Sequence, residues 1–334
     1  MNINVKWIDR LKADSILVTG GTGFLGRRVV QFLNDFGFKI ELFSGQNAKP
    51  GVAYTISSKL IDLTSENKVS ELFRMLNPSI VIHLAAVVGG IGANREKPGE
   101  FFYKNAIMGI LTQEYARRTG TKKFVTVGTV CSYPKYTQVP FKETDFWVGY
   151  PEETNAPYGI AKKAILAQGQ AYRQQYGFNS IHLLPANLYG PQDNFSEQTS
   201  HVIPALIKKV HHAKQHNIEF IEVWGDGTPT REFLYVDDAA IGILKATALY
   251  DNPEPLNLGT GEEISIEKLV TLIKQRMAYD GRVIYRSDYP NGQPRRSLDI
   301  SMAQLFIDYK SETDLTTGLD KTIAWYVNGG YKQD

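Results

Sequence analysis

A chain of 334 residues, 43% hydrophobic and 22% charged, is too apolar and too weakly charged for a disordered protein and long enough to bury a substantial core. Its 37 Lys and Arg against 35 Asp and Glu leave a net charge of +2, which excludes a global field for recruiting nucleic acid or a membrane surface; any anion site must be local. The single cysteine, Cys131, excludes an intramolecular disulfide. With an N-terminus that lacks an apolar signal core, and a longest apolar run (about Ile80 to Ile91) too short to cross a bilayer, these features point to a cytoplasmic protein.

Met1 to Asp14 read as an N-terminal extension. Ser15-Ile-Leu-Val-Thr19 is a β-branched run that enters Gly20-Gly-Thr-Gly23-Phe24-Leu25-Gly26, after which the spacing turns helical. Strand, glycine turn and helix in this order bring backbone close to a pyrophosphate at a helix N-terminus, the arrangement for a dinucleotide. A second strand is expected at Lys39–Phe43. No acid stands at its end to accept from a ribose 2′-hydroxyl; Ser44, Gln46, Asn47 and Lys49 are polar or basic and favour NADP(H), with NAD(H) as the alternative.

Leu60-Ile-Asp62-Leu63-Thr precedes a helix over Glu66 to Leu76, which Asn77-Pro78 stops. Ser79 to Ala86 is a buried strand in which His83 reads as a core histidine, and its end, Leu84-Ala85-Ala86, is small enough for a close ligand. A helix from Lys97 to Arg118 contains Asn105. The strand Lys123–Gly128 delivers Thr129 and Cys131 to the carboxyl end of an open sheet, where ligands bind. Thr129 can donate a hydrogen bond. Cys131 fits either a buried small hydrophobe or a thiolate base.

Tyr158 and Lys162, four residues apart, share one helix face, so an ammonium can lower the cost of a phenolate; alone, the pair also fits an aromatic at the core edge beside a solvated amine. After a strand at Asn179–Leu184, the turn-rich Pro185–Phe195 segment containing Asn187 leaves the nucleotide-binding part. Thr199–Pro204, with His201, opens a helix bearing Lys208, Lys209, His211, His212 and His216. His212 and His216 lack a third metal ligand and read as a solvated basic face, so no metal is expected. Trp224 and Arg231 lie in a hairpin-like glycine-rich loop, where Arg231 suits a phosphate clamp. Leu256–Gly261 returns to the sheet, and the end of the chain, with Arg295 and Arg296, finishes in helix.

Together the glycine turn, His83-Leu-Ala-Ala, Asn105, Thr129, Tyr158-x-x-x-Lys162, Arg231 and Asn257-Leu-Gly-Thr-Gly261 resemble the extended short-chain dehydrogenase/reductase family from about Ser15 to Tyr331. The resemblance implies an α/β fold, a doubly wound parallel Rossmann sheet with a smaller C-terminal substrate domain. Its expected parts are 15–187 with about 231–262 for the dinucleotide, and about 188–230 with 263–330 for substrate. Val88–Asn94, Cys131–Lys135, Asn187–Phe195, Ser200–Leu206 and Trp224–Phe233 further resemble the GDP-L-fucose synthases, NADPH-dependent 3,5-epimerase-4-reductases of GDP-4-keto-6-deoxymannose.

That resemblance implies Tyr158 and Lys162 as the reductase pair, Thr129 as partner hydroxyl, and Cys131 and His201 as the epimerisation acid and base. It implies cofactor contacts from Gly20, Gly23, Phe24, Leu25, Gly26, Ser44, Asp62, Leu63, Leu84, Ala85, Ala86, Asn105, Tyr158, Lys162 and Asn187. Substrate contacts are implied at Asn187, His201, Lys209, Trp224, Arg231 and Arg296, and a homodimer is implied as the assembly. Thr129 stands where Ser is usual and Lys209 where Arg is common. These departures keep the reaction class and leave the sugar open to other GDP-sugars such as a mannoheptose, with a C4 reductase, dehydrogenase or epimerase as the alternative. A dinucleotide-sensing regulator is a third reading, against which the joint presence of Thr129, Tyr158 and Lys162 counts.

Overall fold

Short β-branched strands that carry apolar side chains on both faces require cover on both sides, and the chain supplies it with helices. The computed structural model describes residues 6–289 and 291–332. Its central seven-stranded sheet contains β1 (Ile16–Thr19), β2 (Lys39–Leu42), β3 (Val52–Thr55), β4 (Ile80–His83), β5 (Lys123–Val127), β6 (Ser180–Pro185) and β11 (Leu256–Leu258), in the order β2-β3-β1-β4-β5-β6-β11. Every pairing in it is parallel. On one face, Val18, Ile82 and Val125 pack in a core shared with Val29 and Leu33 of α1 (Phe24–Asp35) and Ala239 and Ile243 of α7 (Val236–Leu249). On the other, Leu17, Val81 and Phe124 pack with Val69 and Leu72 of α2 (Glu66–Leu76) and Met108 of α4 (Pro98–Arg118). The short α3 (Ile91–Glu96) precedes α4, and α5 (Ala156–Tyr176) lies along it. The sheet is doubly wound.

A second core joins α6 (Val202–Gln215), α8 (Ile266–Arg276) and α10 (Leu315–Val327) through residues such as Ile207, Ile273 and Leu319, while α9 (Ser301–Ile307) packs on α7 and β11. Three two-stranded pairings complete the fold: β7 (Asn187–Tyr189) with β10 (Phe233–Tyr235), β8 (Phe220–Trp224) with β13 (Arg282–Arg286), and β9 (Thr230–Arg231) with β12 (Ile264–Ser265).

Three differences from the sequence expectation matter. First, Val52–Thr55 was not expected as a strand, yet β3 sits between β1 and β2 and is buried along its length. Four residues after a Pro-Gly turn leave no periodicity to read. β2 is thereby displaced to the sheet edge, and the loop holding Ser44 moves away from β1 with it. Second, the Trp224–Arg231 stretch is not a hairpin. β8 runs parallel to β13 and β9 antiparallel to β12, because strands far along the chain supply the partners. Third, the part of the N-terminal extension within the described residues packs on the fold: Ile8 and Leu11 are 2% and 3% exposed, and Trp7 meets Phe36 edge-on at 5.6 Å. Residues 1–5 of that extension lie outside the described residues. Among the described residues no helix is long and apolar enough to cross a membrane.

Candidate active site

The glycine turn forms a tight cradle at the end of β1. Gly20 has φ +69°, and a Cβ on it would come within 2.7 Å of the Ala85 backbone nitrogen; a Cβ on Gly26 would lie 2.0 Å from the Gly20 carbonyl oxygen. Gly23 precedes α1 with no side-chain cap, so the N–H groups that open this 12-residue helix face outward beneath the turn. Gly26→Ala is therefore expected to lower stability by about 2 kcal/mol, read as a lower denaturant midpoint at unchanged slope. An unchanged midpoint would show that the turn is not held as described.

The strand end of β5 and the start of α5 meet next to this cradle. Thr129 caps the turn over 130–132, its hydroxyl oxygen accepting from the Cys131 N–H at 3.1 Å, which leaves its own proton free to donate outward. Gly159 lets α5 settle on that turn: a Cβ there would sit 3.0 Å from the Cys131 carbonyl oxygen, and Ser132 Oγ donates to the Gly159 carbonyl at 3.0 Å. This contact sets Tyr158 beside Cys131. Burial, then the proximity of Cys131, raises the Tyr158 pKa, so the phenol holds its proton and acts as a donor. Lys162 is 2% exposed, and burial pushes its pKa down to about 8. Its ammonium is 5.8 Å from the Tyr158 ring centre. The expected depression of the phenol by Lys162 is not seen: only burial and Cys131 act on it, and both raise its pKa.

Arg296 approaches from the far end of the chain. It is 6% exposed, and Nη1 donates to the Cys131 sulfur at 3.2 Å. Arg231 lies close by, with Nη1 on the Thr230 carbonyl at 2.7 Å and Nη2 on that of Asn291 at 3.2 Å. Burial, then the like charge of Arg296, lowers the Arg231 pKa. A buried guanidinium on the Cys131 sulfur with a second guanidinium beside it makes this wall anion-seeking. Glu232, which the sequence reading missed, holds this wall together: its carboxylate accepts from the backbone N–H groups of Gly261 at 3.0 Å and Leu298 at 2.6 Å while the residue is 1% exposed. No local pattern marks it, since its partners come from two distant segments.

His201 is the residue before α6. Its loop is tied to the β4 loop by the Gly90 N–H, which donates to the Thr199 carbonyl at 3.0 Å. His201 is exposed, yet desolvation by the surrounding protein lowers its pKa, leaving it neutral near neutral pH. Lys209, one helical turn further along α6 than Ala205, donates to the Glu222 carbonyl at 2.8 Å. Trp224 is 52% exposed and stacks on Tyr289 at 4.4 Å with an 8° tilt.

Several sequence-derived cofactor residues lie elsewhere or act differently. Asn105 is spent on backbone: its side chain donates to Val87 and Phe101 carbonyls at 2.9 and 2.7 Å and accepts from the Val87 N–H at 3.0 Å, so it positions the β4 loop. Asn187 donates to the Glu232 carbonyl at 2.8 Å. Asp62 caps its own loop, accepting from the Thr64 N–H at 2.9 Å, and Leu63 is buried beside it. Ser44 is corrected. Its N–H donates to Gln46 Oε1 at 2.6 Å in a loop that follows the edge strand β2, whereas the strand beside β1 is β3, followed by Ser57-Ser58-Lys59. His83 is fully buried with Nδ1 2.9 Å from Thr19 Oγ1, a core position. His212 and His216 stack at 4.2 Å, and the described residues contain no group of three His, Cys, Asp or Glu side chains arranged around a metal.

The sequence profile of the NAD dependent epimerase/dehydratase family matches residues 16–259. The chain belongs to this family. It is 39% identical over 268 residues to a GDP-L-fucose synthase from Sinorhizobium fredii, covering 80% of this chain and 85% of that one. Among solved structures, a GDP-6-OMe-4-keto-L-xylo-heptose reductase from C. jejuni superposes with a TM-score of 0.85 at 25% identity, over 95% of this chain and 98% of the other. A GDP-L-fucose synthetase from Naegleria fowleri bound to NADP gives 0.82 at 26% identity, covering 96% of each. As a member of the epimerase/dehydratase family the chain is an NAD(P)-dependent sugar epimerase or reductase.

Proposed function

We propose that this enzyme epimerises C3 and C5 and reduces C4 of GDP-4-keto-6-deoxy-D-mannose, giving GDP-L-fucose. The observation that carries the reading is Cys131, bonded through its sulfur to Arg296 beside Tyr158, because a pure reductase needs no second acid/base at that position. The C4 ketone acidifies the protons on C3 and C5. Cys131 and His201 remove and return these protons on opposite faces, with the enolate oxygen held by the Thr129 and Tyr158 hydroxyls. Tyr158 then gives its proton to the C4 oxygen, and Lys162 orients the ribose. The glycine cradle fits NADPH, since backbone packed too closely for a Cβ at Gly20 or Gly26 holds the turn tight over the uncapped start of α1, where a diphosphate would be held; bound there, the cofactor would supply hydride. Lys209, Trp224, Arg231 and Arg296 are assigned to the GDP-sugar. We assign residues 15–187 with about 231–262 to the dinucleotide and about 188–230 with 263–330 to the substrate. The homodimer contact is assigned to the α4–α5 face, where Phe102 and Tyr103 are 43% and 61% exposed.

The preference for NADP(H) rests on Ser57, Ser58 and Lys59, which follow β3 without a carboxylate. Lys59→Asp is expected to raise the KM for NADPH roughly tenfold and to lower that for NADH. A variant with unchanged cofactor ratio would move the 2′-phosphate contact elsewhere. The heptose reductase likeness favours a second substrate, a GDP-4-keto-heptose. The deciding experiment incubates the enzyme with each ketosugar and NADPH in heavy water. Cofactor oxidation with deuterium at C3 and C5 of the deoxymannose compound supports the proposal; oxidation with the heptose alone overturns it.

A further inference from the structure

One layer of the sheet core has a composition that the reaction above does not use. In the register of four adjacent strands, Thr19, His83, Thr126 and His182 are successive partners, so their side chains project from one face at one height. Two residues earlier the same face holds Leu17, Val81 and Phe124 of the apolar core, with Ser180 as the partner on β6. All four polar residues are buried, between 0% and 1% exposed. Only one bond joins them, Thr19 Oγ1 with His83 Nδ1 at 2.9 Å. His83 Nε2, Thr126 Oγ1 and both ring nitrogens of His182 have no hydrogen-bond partner among the described residues. The His182 ring extends toward the active-site end of β5, since a Cβ on Gly128 would touch its Nε2 at 2.2 Å. The helix α5 packs on β5 and β6, and its buried Lys162 acts electrostatically on both histidines.

Buried polar atoms left bare cost about 1–3 kcal/mol each, and polar internal sites of this kind hold ordered water bonded to several partners. We propose that the layer is an internal water site: ordered waters bridge His83 Nε2, Thr126 Oγ1 and the His182 ring and hydrate the Lys162 ammonium from the sheet side, with His182 as its positioning residue. The titratable and charged groups around it are few. They are Tyr158 on the same helix, Cys131 on the adjoining turn, His83 and His182 from the sheet, and Lys163, whose ammonium lies 4.7 Å from the Phe146 ring that packs on His182. Glu114 of α4 is committed to Tyr172, at 2.6 Å, near the far end of α5. No carboxylate therefore supports the Lys162 charge. Burial keeps both imidazoles neutral, with pKa values near 3, so they act as hydrogen-bonding groups and not as cations.

The role of Lys162 in turnover rests on the proposed function, but the water site does not, and the test separates them. An atomic-resolution crystal structure of the cofactor-free enzyme should show water on His182 and Thr126; a dry layer, or direct bonds between the side chains, overturns the proposal. His182→Leu, which keeps volume, should empty the site and move the basic limb of the pH profile for NADPH oxidation down by about one unit, because an unhydrated ammonium loses its proton more readily. His182→Gln should restore the limb toward wild type. If the water is present and His182→Leu changes thermal stability alone, the coupling to Lys162 is refuted. If neither ketosugar is turned over, the pKa of Lys162 is followed instead by NMR of 15N-lysine-labelled protein, where the same downward shift is expected and its absence is decisive.

Discussion

Tyr158→Phe is expected to reduce NADPH oxidation by about 10²- to 10⁴-fold, the range that a positioned general acid supplies. The substitution removes one oxygen and keeps the ring that packs beside Cys131 and under Lys162, so the melting temperature should stay close to that of wild type. The sign of the pH dependence follows from the two neighbours. The phenol, raised by burial and by Cys131, stays protonated across the neutral range, whereas Lys162 loses its charge as pH rises through about 8 in the free enzyme. Activity at limiting substrate should therefore fall on the alkaline side, and the Tyr158→Phe variant should show the same limb on a far lower plateau. A residual rate within tenfold of wild type would remove Tyr158 from the chemistry.

Cys131→Ala should have the second large effect, and on a different observable. With the thiol gone, one of the two stereocentres has no acid/base, and deuterium exchange at that carbon should drop by about 10²-fold or more, while cofactor affinity is unchanged. The Arg296 guanidinium donates to the sulfur at 3.2 Å and fixes its position, so Arg296→Leu should lower exchange at the same carbon and not at the other. His201→Gln should block the opposite centre. Wild-type exchange at both carbons in Cys131→Ala would return the cysteine to a packing role and leave a simple C4 reductase.

The Rossmann core was legible in the chain because its signals are local. The β1–glycine turn–α1 unit, the buried runs of β4 and β5, and the Tyr158–Lys162 spacing on α5 are each set by steric and hydrophobic preferences within a few residues. β3 was not legible, since Val52–Thr55 becomes a strand only when β1 and β2 offer it partners on both sides. That single omission sent the ribose contact to Ser44 when the strand next to β1 leads to Ser57-Ser58-Lys59. Nothing local to Asn105 tells that its amide closes on the Val87 backbone.

The sequence by itself determined the fold family and the strand–glycine turn–helix unit, short-range patterns set within a few residues, while Cys131 and the Tyr158–Lys162 pair taken alone fitted packing as well as chemistry. Tertiary structure alone decided that Arg296, 165 residues from Cys131, supplies the sulfur with a cation, that Glu232 ties the loops behind it, and that Thr19, His83, Thr126 and His182 come to one height in the sheet. Such contacts depend on strand order and register, which are settled by how whole faces bury against one another and leave no mark at any one position.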